Sequence, residues 1–359
     1  MRWLDASTCN FLAVKTICKE LDNAGFLRLD ARDGWQIEKG GKYYVVKNDS
    51  AVFAFIAGTD SPAEAGFRII SSHSDSPCFK IKPNAEIYGE GGVVSLNVEK
   101  YGGGILYTWF DRPLSISGRV MTKGKDALHP RTLTVDLQSP VCTIPHLAIH
   151  FNREVNEGNK LSVQKDMKPV MGCFSEEEIA GFKKKGGVVK CLVAENLGIA
   201  PEDIIDYELC LYPCIPTTLS GVGKDFLQSG RIDDLSMAFA SLEALLQECD
   251  HDCAATRVMA VFDNEETGSG TKQGAHSPVL REILQRVCMK LTPNDSEAFF
   301  RSVAESFMIS ADDAHAWHPN YNEKYDPTNH SLLGKGMNGR FFGACFSVFI
   351  QKEELLLHR

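Results

Sequence analysis

The feature that most restricts the fold of this chain is an alternation of helix and strand patterns that a long, strand-rich stretch interrupts. Apolar residues at helical spacing near the N-terminus are followed by short β-branched and aromatic runs, and the alternation resumes at Gly230. This pattern predicts one α/β layer built from both ends of the chain. Its predicted helices are 11–25, 235–246 and 278–289, and its predicted strands are 43–46, 51–57, 67–71, 257–262 and 307–310.

The interrupting stretch has strand patterns at 93–98, 133–137 and 188–193, with little helix predicted between them. The chain has 359 residues, which is more than one hydrophobic core usually accommodates. We therefore predict two domains. They are a discontinuous α/β domain of residues 1–83 and 222–359, and an inserted β-rich domain of residues 84–221.

Composition argues against several classes of protein. The net charge is −9 and no long basic run is present, whereas a nucleic-acid-binding protein usually has a basic surface. The longest apolar block, 341–350, is too short to span a bilayer, and the first residues do not form an export signal. Cysteines occur singly and without a Cys-x-x-Cys pair, which indicates reduced thiols. We expect a cytoplasmic protein that binds neither nucleic acid nor membrane.

Acidic and imidazole side chains follow the predicted strands or begin a predicted helix in four segments. Because ligands of open α/β sheets gather beyond the carboxyl ends of the strands, we expect the four segments to meet. Each segment taken alone also has a purely structural interpretation, such as a surface histidine beside an aspartate. The segments are 73–75, 230–235, 263–270 and 310–321.

The third segment is the most specific because it places Glu265 and Glu266 directly after an apolar strand. Neighbouring side chains of an extended segment point in opposite directions, so one glutamate can bind a metal while the other acts as a general base. Gly268 and Gly270 allow the backbone to pass close to a site.

The other segments supply candidate ligands of a metal centre. His73 can bind a metal while Asp75 accepts the other ring N–H of the imidazole. Asp233 is the candidate for a ligand that bridges two metals, whereas for Asp234 we favour a helix N-cap. Asp312 is a candidate terminal ligand. His315 and His318, in the same segment, are interpreted as positioning and packing residues.

One histidine and three carboxylates suit a pair of divalent ions that activate water and polarise a carbonyl, which is the chemistry of amide hydrolysis. Other catalytic patterns are absent from the sequence. It contains no His-Glu-x-x-His helix, no Gly-x-Ser-x-Gly turn and no phosphate-binding Walker loop.

These motifs together resemble the aspartyl aminopeptidase and aminopeptidase I metallopeptidases. The resemblance implies a cytoplasmic zinc exopeptidase with a mixed-sheet α/β core, an inserted β-rich dimerisation domain and assembly into dodecamers. It also implies removal of N-terminal residues, commonly acidic ones, from peptides. The matching stretches are Ser72–Pro77, Tyr101–Gly104, Trp109–Arg112, Ile144–His150, Ser229–Asp234, Asp263–Glu266 and Asp312–Tyr321.

The resemblance also implies roles for single residues. His73 and Asp312 would bind one Zn²⁺, Asp233 would bridge two, and Glu266 would bind the second. Glu265 would be the general base and Asp75 the carboxylate that orients His73. His150 matches a family histidine that is either a zinc ligand or a group reaching the active site of a neighbouring subunit, and we favour the second role.

After Gly336 the sequence no longer resembles the family, in which a further histidine near the C-terminus completes the second zinc site. We therefore expect a truncated or divergent member with two zinc ions per subunit and an incomplete second site. Neither Arg340 as a substrate-binding residue nor His358 as the missing ligand is supported by its surroundings. The alternatives are an impaired pseudopeptidase that acts as an assembly subunit, or a related exopeptidase or deacylase.

Overall fold

The computed structural model describes residues 1–333. Its strands, numbered in chain order, are β1 (Leu27–Leu29), β2 (Lys42–Lys47), β3 (Ala51–Ile56), β4 (Phe67–His73), β5 (Cys78–Tyr88), β6 (Val93–Tyr101), β7 (Leu114–Asp126), β8 (His129–Asp136), β9 (Val170–Cys173), β10 (Ile204–Pro213), β11 (Thr218–Ser220), β12 (Phe226–Gln228), β13 (Thr256–Phe262) and β14 (Phe307–Ser310). Its helices are α1 (Arg2–Ala6), α2 (Asn10–Asn23), α3 (Pro62–Ala65), α4 (Val163–Asp166), α5 (Glu176–Lys184), α6 (Val188–Leu197), α7 (Ile232–Gln247), α8 (Val279–Leu291) and α9 (Ala298–Ala304). Within these residues, no helix has both the length and the apolar character needed to cross a membrane.

The chain divides into two compact units. One comprises Met1–Leu12 and Ser76–Arg231, and the other comprises Ala13–Asp75 and the residues from Ile232 onward. The first twelve residues therefore group with the inserted segment, although the sequence analysis assigned them to the α/β domain.

The second unit is built on a mixed sheet with the strand order β1-β2-β3-β13-β4-β14. Strand β13 runs antiparallel to β3 and parallel to β4, and β14 is also parallel to β4. The apolar side chains of β3 and β13 pack with those of helix α8 in one core, which includes Phe53, Phe55, Val258, Ala260 and Val287. The predicted α/β core and its mixed sheet are confirmed.

The register of the three parallel strands aligns their carboxyl ends. Phe262, the last residue of β13, lies opposite His73, the last residue of β4. Ser310, which ends β14, lies opposite Ser71. The segments that follow these strands therefore leave the sheet at one edge, as the sequence predicts.

The first unit contains a second sheet, antiparallel throughout, with the order β8-β7-β10-β5-β6-β9. One prediction for this region is wrong, because 188–193 lies in helix α6 and not in a strand. Gly187 (φ 111°) separates this helix from α5, and Glu86 accepts a hydrogen bond from the backbone N–H of Val189 in the first turn. A short apolar run cannot be assigned to helix or strand by its periodicity alone.

Candidate metal centre

The centre is built around His73, whose ring is buried at the end of β4. Its Nε2 atom lies 3.4 Å from Asp233 Oδ1, 3.9 Å from Asp234 Oδ2 and 3.8 Å from Glu265 Oε2. Asp312, which follows β14, completes a group of four side chains with His73, Asp233 and Asp234. Their ligand atoms all lie within 4.8 Å of one another. The structure thus gathers three of the predicted ligands, from three separate segments, in one place.

The orientation of the His73 ring is fixed by Asp75. Nδ1 lies 3.0 Å from the backbone carbonyl oxygen of Asp75 and 3.3 Å from its Oδ1 atom. Because both of these oxygens are acceptors, a hydrogen on Nδ1 donates to Asp75, and Nε2 is the ring nitrogen that faces the other carboxylates. A histidine that binds a metal through Nε2 is commonly oriented by such a hydrogen bond from Nδ1.

Asp234 has a different environment from the one that an N-cap role predicts. Its side chain is fully buried, and Oδ2 accepts a 2.9 Å hydrogen bond from the backbone N–H of His73. The carboxylate therefore joins the start of α7 to the end of β4. The N-cap prediction for Asp234 is wrong, because the partner of this carboxylate is an amide of a different element.

The paired glutamates lie in a short 3₁₀ turn, Glu265–Thr267, that follows β13. The preceding residue, Asn264, has a left-handed conformation with φ 62°, which turns the chain sharply away from the strand. Both oxygens of the Asp75 carboxylate are used here: Oδ1 accepts from the backbone N–H of Glu265 and Oδ2 from that of Glu266, each at 3.2 Å. Asp75 therefore contacts both the histidine and the glutamate turn.

The two glutamates occupy different positions relative to the group of four. The carboxylate of Glu265 is half-exposed and approaches His73, whereas that of Glu266 is not part of the mutually close set.

Asp313, next to Asp312, accepts a 2.6 Å hydrogen bond from Ser236 Oγ on helix α7. This bond connects the segment after β14 to the helix that begins near Asp233.

The pKa values reflect a dense group of carboxylates around one imidazole. Burial raises the pKa of Asp234 to about 9, and burial also raises the pKa values of Glu265, Asp312 and Asp313. Burial alone would lower the pKa of His73, but the neighbouring carboxylates of Asp233 and Asp75 raise it to about 11. Acidic groups exceed basic ones, so a cation would relieve their mutual repulsion.

Two buried atoms also indicate a cation-binding site. Among the described residues, His73 Nε2 and Asp234 Oδ1 have no hydrogen-bond partner, although both are shielded from solvent. Buried polar atoms are nearly always satisfied, so such an orphan nitrogen beside carboxylates is typical of a metal ligand. An imidazole nitrogen with carboxylate oxygens is a donor set that Zn²⁺ accepts. The residues present therefore fit zinc.

Comparison with known proteins agrees with this donor set. The family model described as aminopeptidase I zinc metalloprotease (M18) matches residues 3–339. This chain belongs to the M18 family. Its members are zinc metalloaminopeptidases, and hence hydrolases, so the predicted family is confirmed.

Individual M18 proteins are similar over most of this chain. A probable M18 family aminopeptidase 2 of Clostridium novyi (strain NT) is 46% identical over 91% of this chain and 73% of its own length. A chain in a cryo-EM structure of the Ape4 and Nbr1 complex has a TM-score of 0.88 at 34% identity, over 93% of this chain and 66% of that one. The S. cerevisiae mApe1 dodecamer has a TM-score of 0.77 at 27% identity, over 92% and 74%. This chain thus spans two thirds to three quarters of these M18 relatives.

The remaining predicted site residues are not members of the group of four. His150 is an exposed turn residue of the other unit. The ring of His318 is tilted by 55° to that of Tyr321, with ring centroids 4.9 Å apart, and its Nδ1 accepts from the N–H of Asn320. Both rings are exposed, so the packing role of His318 stays a prediction. The interpretations of Arg340 and His358, and of the further C-terminal histidine, fall outside the described residues.

Sequence reasoning missed Asp234 as a member of the group of four side chains. The adjacent acid pair Asp233–Asp234 was the available signal, but two acids at a helix start also suit ordinary capping. Only the tertiary contact with the His73 amide distinguishes these roles.

Proposed function

We propose that this chain is a zinc aminopeptidase that hydrolyses the N-terminal residue of peptides, with a preference for Asp or Glu. The observation that supports this most is the convergence of His73, Asp233 and Asp312 beside the half-exposed carboxylate of Glu265. A partly buried donor group next to an accessible base suits metal-assisted amide hydrolysis.

In this proposal, His73 and Asp312 would hold one zinc ion, Glu266 would hold a second, and Asp233 would be a ligand shared by both. When bound, the ions lower the pKa of water and polarise the scissile carbonyl group. The exposure of Asp233, whose side chain is 52% accessible, is consistent with a ligand that faces a substrate cleft. Glu266 lies next to Glu265 in the same 3₁₀ turn, which supports its assignment as a ligand of the second ion.

Glu265 acts as the general base in this mechanism. It takes a proton from the attacking water and returns a proton to the leaving amine. Its raised pKa, caused mainly by burial, makes this carboxylate a better proton acceptor than an exposed glutamate. Asp75 supports this step by holding the backbone amides of both glutamates while it orients His73.

The proposal extends to self-association through residues 84–221 and to a dodecamer. The similar S. cerevisiae mApe1 is a dodecamer, which supports this assembly. His150 is flanked by the exposed apolar side chains of Ile149 and Phe151, which suits a segment that is covered by a neighbouring subunit. In that assembly His150 contacts the peptide substrate.

Zinc content and hydrolysis of a substrate panel test the proposal together. The panel contains N-terminal Asp, Glu and Leu peptides and N-acyl amino acids, and Glu265→Gln is the inactive control. We expect two zinc ions per chain and fastest release of Asp or Glu. Fewer zinc ions without turnover would identify an impaired pseudopeptidase with an incomplete second site. Cleavage of the acylated compounds alone would identify a deacylase.

A further inference from the structure

A network of buried polar side chains lies behind the glutamate turn. The Nε2 atom of Gln273 donates to Asn264 Oδ1 at 2.9 Å and to Asp263 Oδ2 at 3.4 Å. Thr271 Oγ1 donates to the same Asn264 oxygen at 2.8 Å. Gln273, Asn264 and Asp263 are each less than a tenth exposed. None of these side chains is part of the group of four metal-site residues.

Asn264 is the centre of this network. Its side-chain oxygen accepts from both Gln273 and Thr271, and its backbone oxygen accepts from the N–H of Ser269 at 2.8 Å. The left-handed conformation of Asn264 sets the direction in which Glu265 leaves β13. Asparagine tolerates this conformation better than most non-glycine residues, and the contacts of Asn264 hold it in place.

The glutamate turn is therefore held from two directions. Asp75 accepts hydrogen bonds from the amides of Glu265 and Glu266 on the side of the metal centre. Gln273 fixes the residue immediately before them, and its backbone oxygen also accepts from the N–H of Asp263 at 3.2 Å. Displacement of a catalytic group by about 1 Å can reduce a rate about 100-fold, so such support affects catalysis directly.

We infer that Gln273 is a positioning residue that aims Glu265 and Glu266 through Asn264. The inference rests on the proposed function for its catalytic readout. Gln273 reaches no reacting atom itself. It acts by donating both hydrogens of its amide to the two residues that join β13 to the glutamate turn.

The experiment compares three variants of the full chain. Gln273→Met keeps the length of the side chain but removes both donors, and Thr271→Val removes the other donor to Asn264 with little change of shape. Ser277→Ala is the matched control, because the Ser277 hydroxyl lies in the same loop but donates to the carbonyl oxygen of Gly274 and accepts from the N–H of Val279. For each variant, kcat, KM, zinc content and the thermal midpoint are measured on an aspartyl peptide.

We expect kcat to fall about 10- to 100-fold in Gln273→Met, and less in Thr271→Val, with KM and zinc content nearly unchanged. Ser277→Ala should retain the wild-type kcat. A merely structural role would lower the thermal midpoint and leave kcat of the folded, zinc-loaded enzyme unchanged, which would overturn the inference. If Gln273→Met does not fold, the same comparison is made with Thr271→Val.

Amide hydrogen exchange separates failure of this inference from failure of the proposed function. If the wild-type chain shows no turnover, the aminopeptidase proposal fails, but the positioning role is still measurable. Exchange at the Glu265 and Glu266 amides should rise about tenfold or more in Gln273→Met and Thr271→Val, and not in Ser277→Ala. Equal exchange in all four proteins would show that Gln273 does not hold the turn.

Discussion

The buried carboxylate of Asp234 accepts a 2.9 Å hydrogen bond from the backbone N–H of His73. This bond fixes the last residue of β4 against the start of α7. Because it is made to the main chain, it constrains the position of His73 independently of the contacts of the imidazole ring.

Replacement of Asp234 should therefore have different effects with alanine and with asparagine. Asp234→Ala leaves the buried His73 amide without an acceptor, and we expect a loss of about 1–3 kcal/mol in the free energy of unfolding together with weaker zinc binding. Asp234→Asn keeps a carbonyl acceptor and should lose less. Urea unfolding and zinc titration check both, with Asp252→Asn, an exposed carboxylate, as the control. Wild-type values for Asp234→Ala would contradict the prediction.

Replacement by alanine should lower the stability of the protein at one glycine of the loop after the glutamate turn and leave it nearly unchanged at another. A Cβ atom at Gly274 would lie within 2.2 Å of the carbonyl oxygen of Ser269, whereas one at Gly270 meets nothing within 4 Å. We expect Gly274→Ala to destabilise the protein by about 1–3 kcal/mol through overpacking and to reduce kcat. Gly270→Ala should change stability by less than about 0.5 kcal/mol. Equal thermal midpoints for the two variants would refute this difference.

Removal of metal should destabilise the folded chain. In the proposed function zinc binds only the native arrangement of His73, Asp233 and Asp312, and a ligand at 100 times its Kd adds about 2.7 kcal/mol of stability. We expect a chelator to lower the thermal midpoint and added zinc to restore it. In His73→Gln the response to zinc should be much smaller. An undiminished zinc response in that variant would place the stabilising metal elsewhere.

Acid stability should depend on Asp5 in the other unit. Its Oδ1 atom accepts from the backbone N–H of Thr217 at 2.8 Å and from its hydroxyl at 2.6 Å. Partial burial alone would raise the pKa of Asp5, but the Thr217 hydrogen bonds and nearby positive charges lower it below its ordinary value of 3.8. The folded state therefore gains stability above that value and loses it as the pH falls through the lowered pKa.

Asp5→Asn should accordingly flatten the pH dependence of stability in the acidic range. We expect the variant to be less stable than wild type at neutral pH, with the difference shrinking below about pH 4. Urea unfolding at a series of pH values measures this, and Glu195→Gln, an exposed acid of the same unit, is the control. A constant difference at every pH would exclude the carboxylate as the cause.

The sequence was sufficient to locate the strand ends that carry His73, Glu265 and Asp312. Continuous apolar runs mark these strands, and an acidic side chain directly after such a run lies at the edge of the sheet where ligands bind. Because β13 and β14 both pair in parallel with β4, the residues at their carboxyl ends lie close together. The identity of the metal and the oligomeric state came instead from the family resemblance, because no spacing of residues determines them.

Other features were beyond sequence reasoning because they depend on single tertiary contacts. Asp234 was assigned to a helix cap because its local sequence suits one. Its actual partner, the backbone N–H of His73 in strand β4, is distant in the sequence and can be seen only in the structure. The sequence gives no indication of a role for Gln273, because glutamine is common in polar loops. The Val188–Leu197 helix was predicted as a strand because its β-branched residues fit both states, and glycine breaks fix its limits.

Strand β4 ends at His73, and its parallel neighbour β13 begins only at Thr256. The segment between them, which contains the second sheet, is one long connection whose ends must come together before the metal ligands can meet. The entropy lost on closing a chain segment grows only with the logarithm of its length, by about 0.6 kcal/mol for each doubling. A change in the length of the intervening segment during evolution would therefore cost the centre little free energy. Folding of the centre, in contrast, requires the long-range pairing of β4 with β13, and such pairing is slow.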